Sequence, residues 1–437
     1  MRMNLKKTIL PLISIFIVLL LVFAVYTVYF VEEKTYNDKP SVVIQYPHDQ
    51  DTVSKIVTIS GIATDPNGNQ TLKKVEIMIN DTWIEVDGTN QWSYTWNIFD
   101  LPDGYYTISA RAWDGAVYSD IDEVKVFSPE VVESNSHKWA VFIVASNFPE
   151  EDEYKLGNGG LYLAENMVEY FIENFDYPTS NMFILFDDGW IRADGGFGEK
   201  EQTLQQRYHK YDITYSEATK QIVMSTLEHV VNESNKFDDS EVFVWVSSHG
   251  CGDDSDALTG GKVLERSSFY LWGEETVNDK EFGDALANLK SDKTCVIVDA
   301  CYSGGFADKT ILSLPEFFVF KSGLAKSGRV IMSGASKFRV GYASLEYGPL
   351  FTQLWFDGMI TGEADGFRPG FRDNGRPTNL NLFKDGKVSV EEAFYYARYV
   401  LKNTEELDDY DKMEPQINDQ YPKRGIIRSE KGLILGE

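Results

Sequence analysis

Val242-Phe243-Val244-Trp245-Val246 and Val296-Ile297-Val298 are short, continuous apolar runs rich in β-branched residues. Neither leaves a polar face, so each reads as a strand covered on both sides, the situation of a parallel sheet between helices. The first run continues into Ser247-Ser248-His249-Gly250, the second into Asp299-Ala300-Cys301-Tyr302-Ser303-Gly304-Gly305. Open α/β sheets place their sites at the carboxyl ends of such strands. A histidine and a cysteine delivered to two such ends suggest a base and a nucleophile.

The flanking pattern supplies the crossovers that a parallel sheet needs. Trp139 to Ala145 and Met182 to Phe186 read as further buried strands, and Val330 to Met332 as another. Gly160 to Phe175 carries Leu161, Ala164, Val168 and Phe171 at helical spacing. Tyr215 to Val231 does the same with Ile222, Thr226, Leu227 and Val230. Helices are also expected near 279–290, over Leu350 to Ile360 and from Val390 to about Leu401. Strands alternating with helices imply right-handed βαβ units and an α/β domain.

The chain before residue 137 has a different character. Thr8 to Val31 is uncharged and long enough to cross a bilayer. Arg2, Lys6 and Lys7 precede it and Glu32 and Glu33 follow, so residues 1–7 are expected in the cytoplasm and the rest outside. A cleaved signal peptide is the competing reading, although no small-x-small site stands out. After a polar linker at 33–40, residues 41–127 show period-two alternation. Val75, Ile77 and Ile79 form one apolar row, Trp92, Tyr94 and Trp96 another, and Ile108, Ala110 and Ala112 a third. Turn signals such as Asp65-Pro66-Asn67-Gly68 and Pro102-Asp103-Gly104 separate them, the pattern of an antiparallel β-sandwich. No residue in it suggests chemistry, and it reads as a spacer or a recognition module. A second polar linker, 128–137, leads into the α/β domain.

Charge excludes one class of partner. The net charge of −27 argues against nucleic acid, which needs clustered Lys and Arg. It also argues against electrostatic docking on an anionic membrane surface. Three cysteines, 251, 295 and 301, make no disulfide framework. No histidine pairs with another His or Cys at metal-ligand spacing, so no metal site is expected there. A calcium loop fits Asn381 to Glu392 at Asp385, Gly386 and Glu392, but Phe383 stands where a ligand is required. The alternative is a turn in which Ser389 and Glu392 form a capping box. The acidic loop Asp253-Asp254-Ser255-Asp256 either binds calcium or is simply solvated. Sequons at Asn69, Asn80 and Asn232 fall on the expected outer side.

Cys301 and His249 carry the chemistry. A thiol attacks a carbonyl as thiolate, and a neighbouring imidazole removes its proton and later returns it to the leaving amine. Backbone N–H groups at Gly250 and Cys301 are suited to hold the developing oxyanion. The group that orients the histidine is not visible.

These residues, in this order, resemble the caspase/legumain superfamily of cysteine peptidases. Caspases place the histidine about 50 residues before the nucleophile. Lys138-Trp139-Ala140-Val141-Phe142-Ile143-Val144-Ala145 and Met182-Phe183-Ile184-Leu185-Phe186-Asp187-Asp188 resemble the first strands of a legumain catalytic domain. Gly334-Ala335-Ser336 and Tyr347-Gly348-Pro349-Leu350-Phe351-Thr352 are similar to segments beyond the nucleophile strand. The likeness covers about residues 137–425. Val57-Thr58-Ile59-Ser60-Gly61 and Trp92-Ser93-Tyr94-Thr95-Trp96 likewise resemble prokaryotic immunoglobulin-like modules. The resemblance implies a mostly parallel sheet flanked by helices, with Cys301 as nucleophile, His249 as base and Gly250 in the oxyanion hole. It implies that Asp299 lines the pocket for the residue before the scissile bond, which would favour Arg or Lys. Legumain-type chains that prefer Asn carry Glu there, and an Arg-His-x-Ala-Asp stretch where this chain has Lys155-Leu156-Gly157-Asn158-Gly159.

The expectation is a membrane-anchored cysteine endopeptidase acting on protein or peptide substrates outside the membrane, without a cofactor unless calcium binds. The competing expectation is an inactive homologue that serves as a surface binding protein. Ligation through the same thioester would use the same residues.

Overall fold

The computed structural model describes residues 17–20, 37–99, 101–129, 136–147, 154–252, 266–273, 275–309, 321–369, 378–379, 383–407, 410–422 and 432–437. The expected membrane span, 8–31, lies outside these except for residues 17–20, which are helical and exposed. Among the described residues no helix is long and apolar enough to cross a membrane.

Seven strands form the central sheet. In spatial order they are Thr214–Ser216, Met182–Phe186, Lys138–Ala145, Glu241–Ser248, Lys293–Asp299, Arg329–Ser333 and Gln416–Asp419. The first six run parallel, and the last pairs antiparallel with Arg329–Ser333. The continuous apolar runs are explained by two cores, one on each face. Phe243, Trp245, Cys295 and Ile297 enter one core beneath the Gly159–Phe175, Leu350–Thr361 and Val390–Asn403 helices. Val242, Val244, Val246, Val296 and Val298 enter the other, beneath Lys220–Ser234 and Asp279–Ala285. With side chains alternating across the sheet, both faces must be apolar.

One expectation is corrected. The helix read from Tyr215 begins at Lys220, and Thr214–Ser216 is instead the edge strand, parallel to Met182–Phe186. Three residues are too few to display alternation, and their β-prone side chains are used where a sheet edge is free. Near 390 the turn reading holds: Ser389 and Glu392 form a capping box at the helix start. Asn381 and Leu382 lie outside the described residues, and the Asp385 and Gly386 amides donate to Asp365. The acidic loop at 253–256 lies outside them entirely.

Residues 41–128 form two four-stranded antiparallel sheets around a core that includes Ile59, Val75, Ile77, Trp92, Ile108 and Ala110. This sandwich does not stand off as a spacer. Ile56 joins the lower core of the α/β domain, and Phe99 stacks on His229 with ring centroids 3.8 Å apart. Trp190 Nε1 donates to Ser93 Oγ at 3.0 Å. Gln205 bridges the two units much as a peptide group would. Its Oε1 accepts the Thr58 N–H at 2.8 Å, and its Nε2 donates to the carbonyls of Ile56 (3.2 Å) and Tyr215 (2.9 Å). Removing a partner of buried backbone groups costs about 1–3 kcal/mol. Gln205→Ala is therefore expected to lower the unfolding free energy by about that much in urea titrations. An unchanged midpoint would mean that the bridge contributes nothing to stability.

Candidate active site

The Glu241–Ser248 and Lys293–Asp299 strands are paired in register, with Ser247 beside Asp299. That register, carried two residues past the Ser247–Asp299 pair, brings His249 and Cys301 to the same edge. Both line one cavity of about 260 Å³, together with Leu156, Asp299, Val340 and Gly341. Cys301 sits on a sharp turn. Tyr302, directly after it, has φ of +57°, which strains a non-glycine residue by about 1–2 kcal/mol. The turn is held by the Tyr302 N–H, which donates to the Arg339 carbonyl at 2.7 Å. Strain of this kind persists where surrounding structure enforces it, commonly at functional sites.

Gly250 is required by close approach. A Cβ there would lie 2.0 Å from the Cys301 carbonyl oxygen. Only a glycine lets the backbone after the histidine strand rest against the cysteine. Burial pushes the Cys301 thiol upward, and the charge of Asp299 adds to this. The amides of Gly341, Gly250 and Cys301 itself act in the other direction. The Gly341 N–H donates to Sγ at 3.3 Å, and the thiol donates back to the Gly341 carbonyl at 3.7 Å.

His249 Nε2 meets the carbonyl of Tyr154. A carbonyl only accepts, so Nε2 carries the proton and Nδ1 is the basic nitrogen. Burial lowers the pKa of the ring, with the Tyr154 bond opposing it, so the imidazole is held neutral. A neutral imidazole of defined tautomer is able to take a proton. The Tyr154 carbonyl is the orienting group that sequence could not reveal, because a backbone oxygen leaves no mark in residue identity. It lies just ahead of Lys155-Leu156-Gly157-Asn158-Gly159, the run that departs from the legumain pattern.

Asp299 has a position at the cavity wall and a second attachment. Its Oδ2 accepts the Thr352 N–H at 2.9 Å and the Thr352 hydroxyl at 2.8 Å, while Trp245 Nε1 donates to that hydroxyl at 3.0 Å. Thr352 is in the first turn of Leu350–Thr361, whose capping residue Pro349 has no side-chain acceptor. Asp299 therefore caps this helix from a neighbouring strand. Burial pushes its carboxyl up to about 6 against those two bonds. Deeper along the same edge, Asp187 is fully buried and pushed up to about 7 by burial. Cys295 is wholly buried in the core, and Cys251 packs beside Tyr270. Among the described residues no group of His, Cys, Asp and Glu is placed to hold a metal ion.

Residues 138–354 match the family model described as Caspase domain, and residues 40–110 the one described as Bacterial Ig domain. Among curated proteins none matches. Similar solved structures include caspase-1 from Spodoptera frugiperda, 10% identical, covering 66% of this chain and 92% of that chain with a TM-score of 0.34. Fibronectin(III)-like modules of Clostridium thermocellum CbhA are 22% identical and cover 23% of this chain and 54% of that one, TM-score 0.19. The endo-β-1,4-mannanase from Thermotoga petrophila is 18% identical over 22% of this chain and 21% of that one, TM-score 0.19. The chain thus spans about half of the module chain and about a fifth of the mannanase.

Two outcomes follow from this geometry. Gly250→Ala is expected to slow alkylation of Cys301 at least tenfold by displacing the cysteine turn, with intact-mass spectrometry as the readout. Because the thiol is pushed above its usual 9.0, the thiolate fraction is small at neutral pH. Alkylation of Cys301 by iodoacetamide should therefore be slow at pH 7 and still accelerate beyond pH 9. Residues 138–354 are thus a caspase domain, with a bacterial Ig domain ahead of it at residues 40–110.

Proposed function

We propose that this protein is a cysteine endopeptidase using Cys301 as nucleophile and His249 as general base and acid. The observation that carries the reading is the shared cavity, in which a neutral His249, its Nε2–H on the Tyr154 carbonyl, faces the same space as Cys301. The thiol proton passes to His249 as Sγ attacks the peptide carbonyl. The amides of Gly250 and Cys301 stabilise the oxyanion. Collapse expels the amine, which takes the proton from His249 and leaves a thioester. Water, deprotonated by His249, then releases the acid and restores the thiol.

Asp299 supports a preference for Arg or Lys before the scissile bond, since it puts a carboxyl on the cavity wall. In this reading the substrate is a protein or peptide, and residues 8–31 anchor the enzyme with its catalytic domain outside the cell. One observation favours a non-catalytic alternative, a surface binding protein: the Gly341 backbone is closed over Sγ.

Cys301→Ala is expected to abolish peptide hydrolysis while circular dichroism stays unchanged, and His249→Ala to reduce kcat at least a hundredfold. Hydrolysis that survives Cys301→Ala would remove the cysteine from the mechanism. A wild-type protein that neither cleaves a peptide library nor takes a peptidyl thiol-reactive probe would favour the binding protein. Cleavage after Asn or Asp rather than Arg or Lys would leave Asp299 as a helix cap alone.

A further inference from the structure

The Asp187 carboxylate has no part in the chemistry above, yet it is fully buried at the carboxyl end of the Met182–Phe186 strand. Its backbone is pinned on both sides. The Asp187 N–H donates to the Val144 carbonyl at 3.0 Å, and its own carbonyl accepts the Ala218 N–H at 2.7 Å. The residue has φ of +39°, so the side chain is aimed by a strained backbone. Arg192 and Lys200 pair with the neighbouring Asp188, at 2.9 Å each. Asp187 instead accepts N–H groups. The Ser146 amide reaches Oδ1 at 2.6 Å, the Asn147 amide reaches both oxygens at 3.2 Å, and Asn147 Nδ2 reaches Oδ2 at 2.8 Å.

Those donors lie where the Lys138–Ala145 strand ends and the segment bearing Tyr154 is attached. The Leu156 N–H donates to the Ser146 carbonyl at 2.7 Å, and Asn147 Nδ2 also reaches Asn158 Oδ1 at 3.3 Å. Leu156 lines the cavity with Cys301, and Tyr154, two residues earlier, supplies the carbonyl that holds His249. A path of hydrogen bonds therefore runs from one buried carboxylate to Leu156, two residues along the chain from the carbonyl that sets the histidine tautomer.

We infer that Asp187 is a positioning residue, which fixes the Tyr154 segment so that its carbonyl holds His249 in the base-competent orientation. The inference rests on the reading of His249 as the catalytic base. Misplacing a catalytic group by about 1 Å costs on the order of a hundredfold in rate. Asp187→Asn keeps the shape and loses one acceptor. It should lower kcat at least tenfold with KM within about twofold, and Cys301 should still react with iodoacetamide. In ¹⁵N-histidine NMR, the Nε2-protonated signature of His249 should shift or broaden in the variant. Asn147→Ala removes only the side-chain link and should move the same signals if Asp187→Asn does not fold. Unchanged His249 signals in the folded variant would overturn the inference, as would an unchanged kcat in an active enzyme. A wild-type protein without peptidase activity would instead sink the peptidase reading, and the His249 signals alone would then decide the role of Asp187.

Discussion

The in-register parallel pairing of Glu241–Ser248 with Lys293–Asp299 is the constraint on which the rest depends. Both strands are covered on two faces, so a slip of one residue would drive valines and aromatics into the wrong cores. The register is thereby locked by apolar burial, at about 1.5–3 kcal/mol for each large side chain. Its consequence is chemical: the residues two places beyond the paired Ser247 and Asp299 are His249 and Cys301. The site inherits its geometry from the packing of the sheet.

Burial then shifts four ionisable groups at that edge in the direction of neutrality. His249 is lowered, while Cys301, Asp299 and Asp187 are raised. In each case backbone amides or carbonyls oppose the desolvation, because fixed N–H and C=O dipoles are the polar partners available at strand ends. The Tyr154 carbonyl fixes the imidazole, Thr352 holds Asp299, and the Ser146 and Asn147 amides hold Asp187. A neutral thiol and a neutral imidazole thus line one cavity, and in the proposed reaction proton transfer accompanies attack.

The Ig domain belongs to the same structural argument. The short Thr214–Ser216 edge strand meets it through Gln205, whose amide reproduces the hydrogen-bonding groups of a peptide. A sheet edge left open invites pairing with other chains, and covering it is one remedy. Trp190, on a hairpin beside Asp188 and Arg192, ties the Ig domain to the same end of the sheet as the cavity.

Alternating and continuous hydrophobic runs were enough to read the sandwich, the buried strands and most helices from sequence. Cys301, His249 and Gly250 could be picked out as candidates too, since the chemistry expected of them demands a residue type at a strand end. The short edge strand at 214–216 was not, because three residues carry no period. Nor were the Tyr154 carbonyl and the Gly341 backbone, since main-chain atoms are the same whatever the residue. Asp299 could be seen from sequence, but its bond to the Leu350–Thr361 helix could not, because that contact joins positions 299 and 352. By itself the sequence determined which side chains were available for chemistry and on which elements they would lie. Only the tertiary structure decided which backbone groups orient them, because hydrogen-bond direction depends on how distant segments pack.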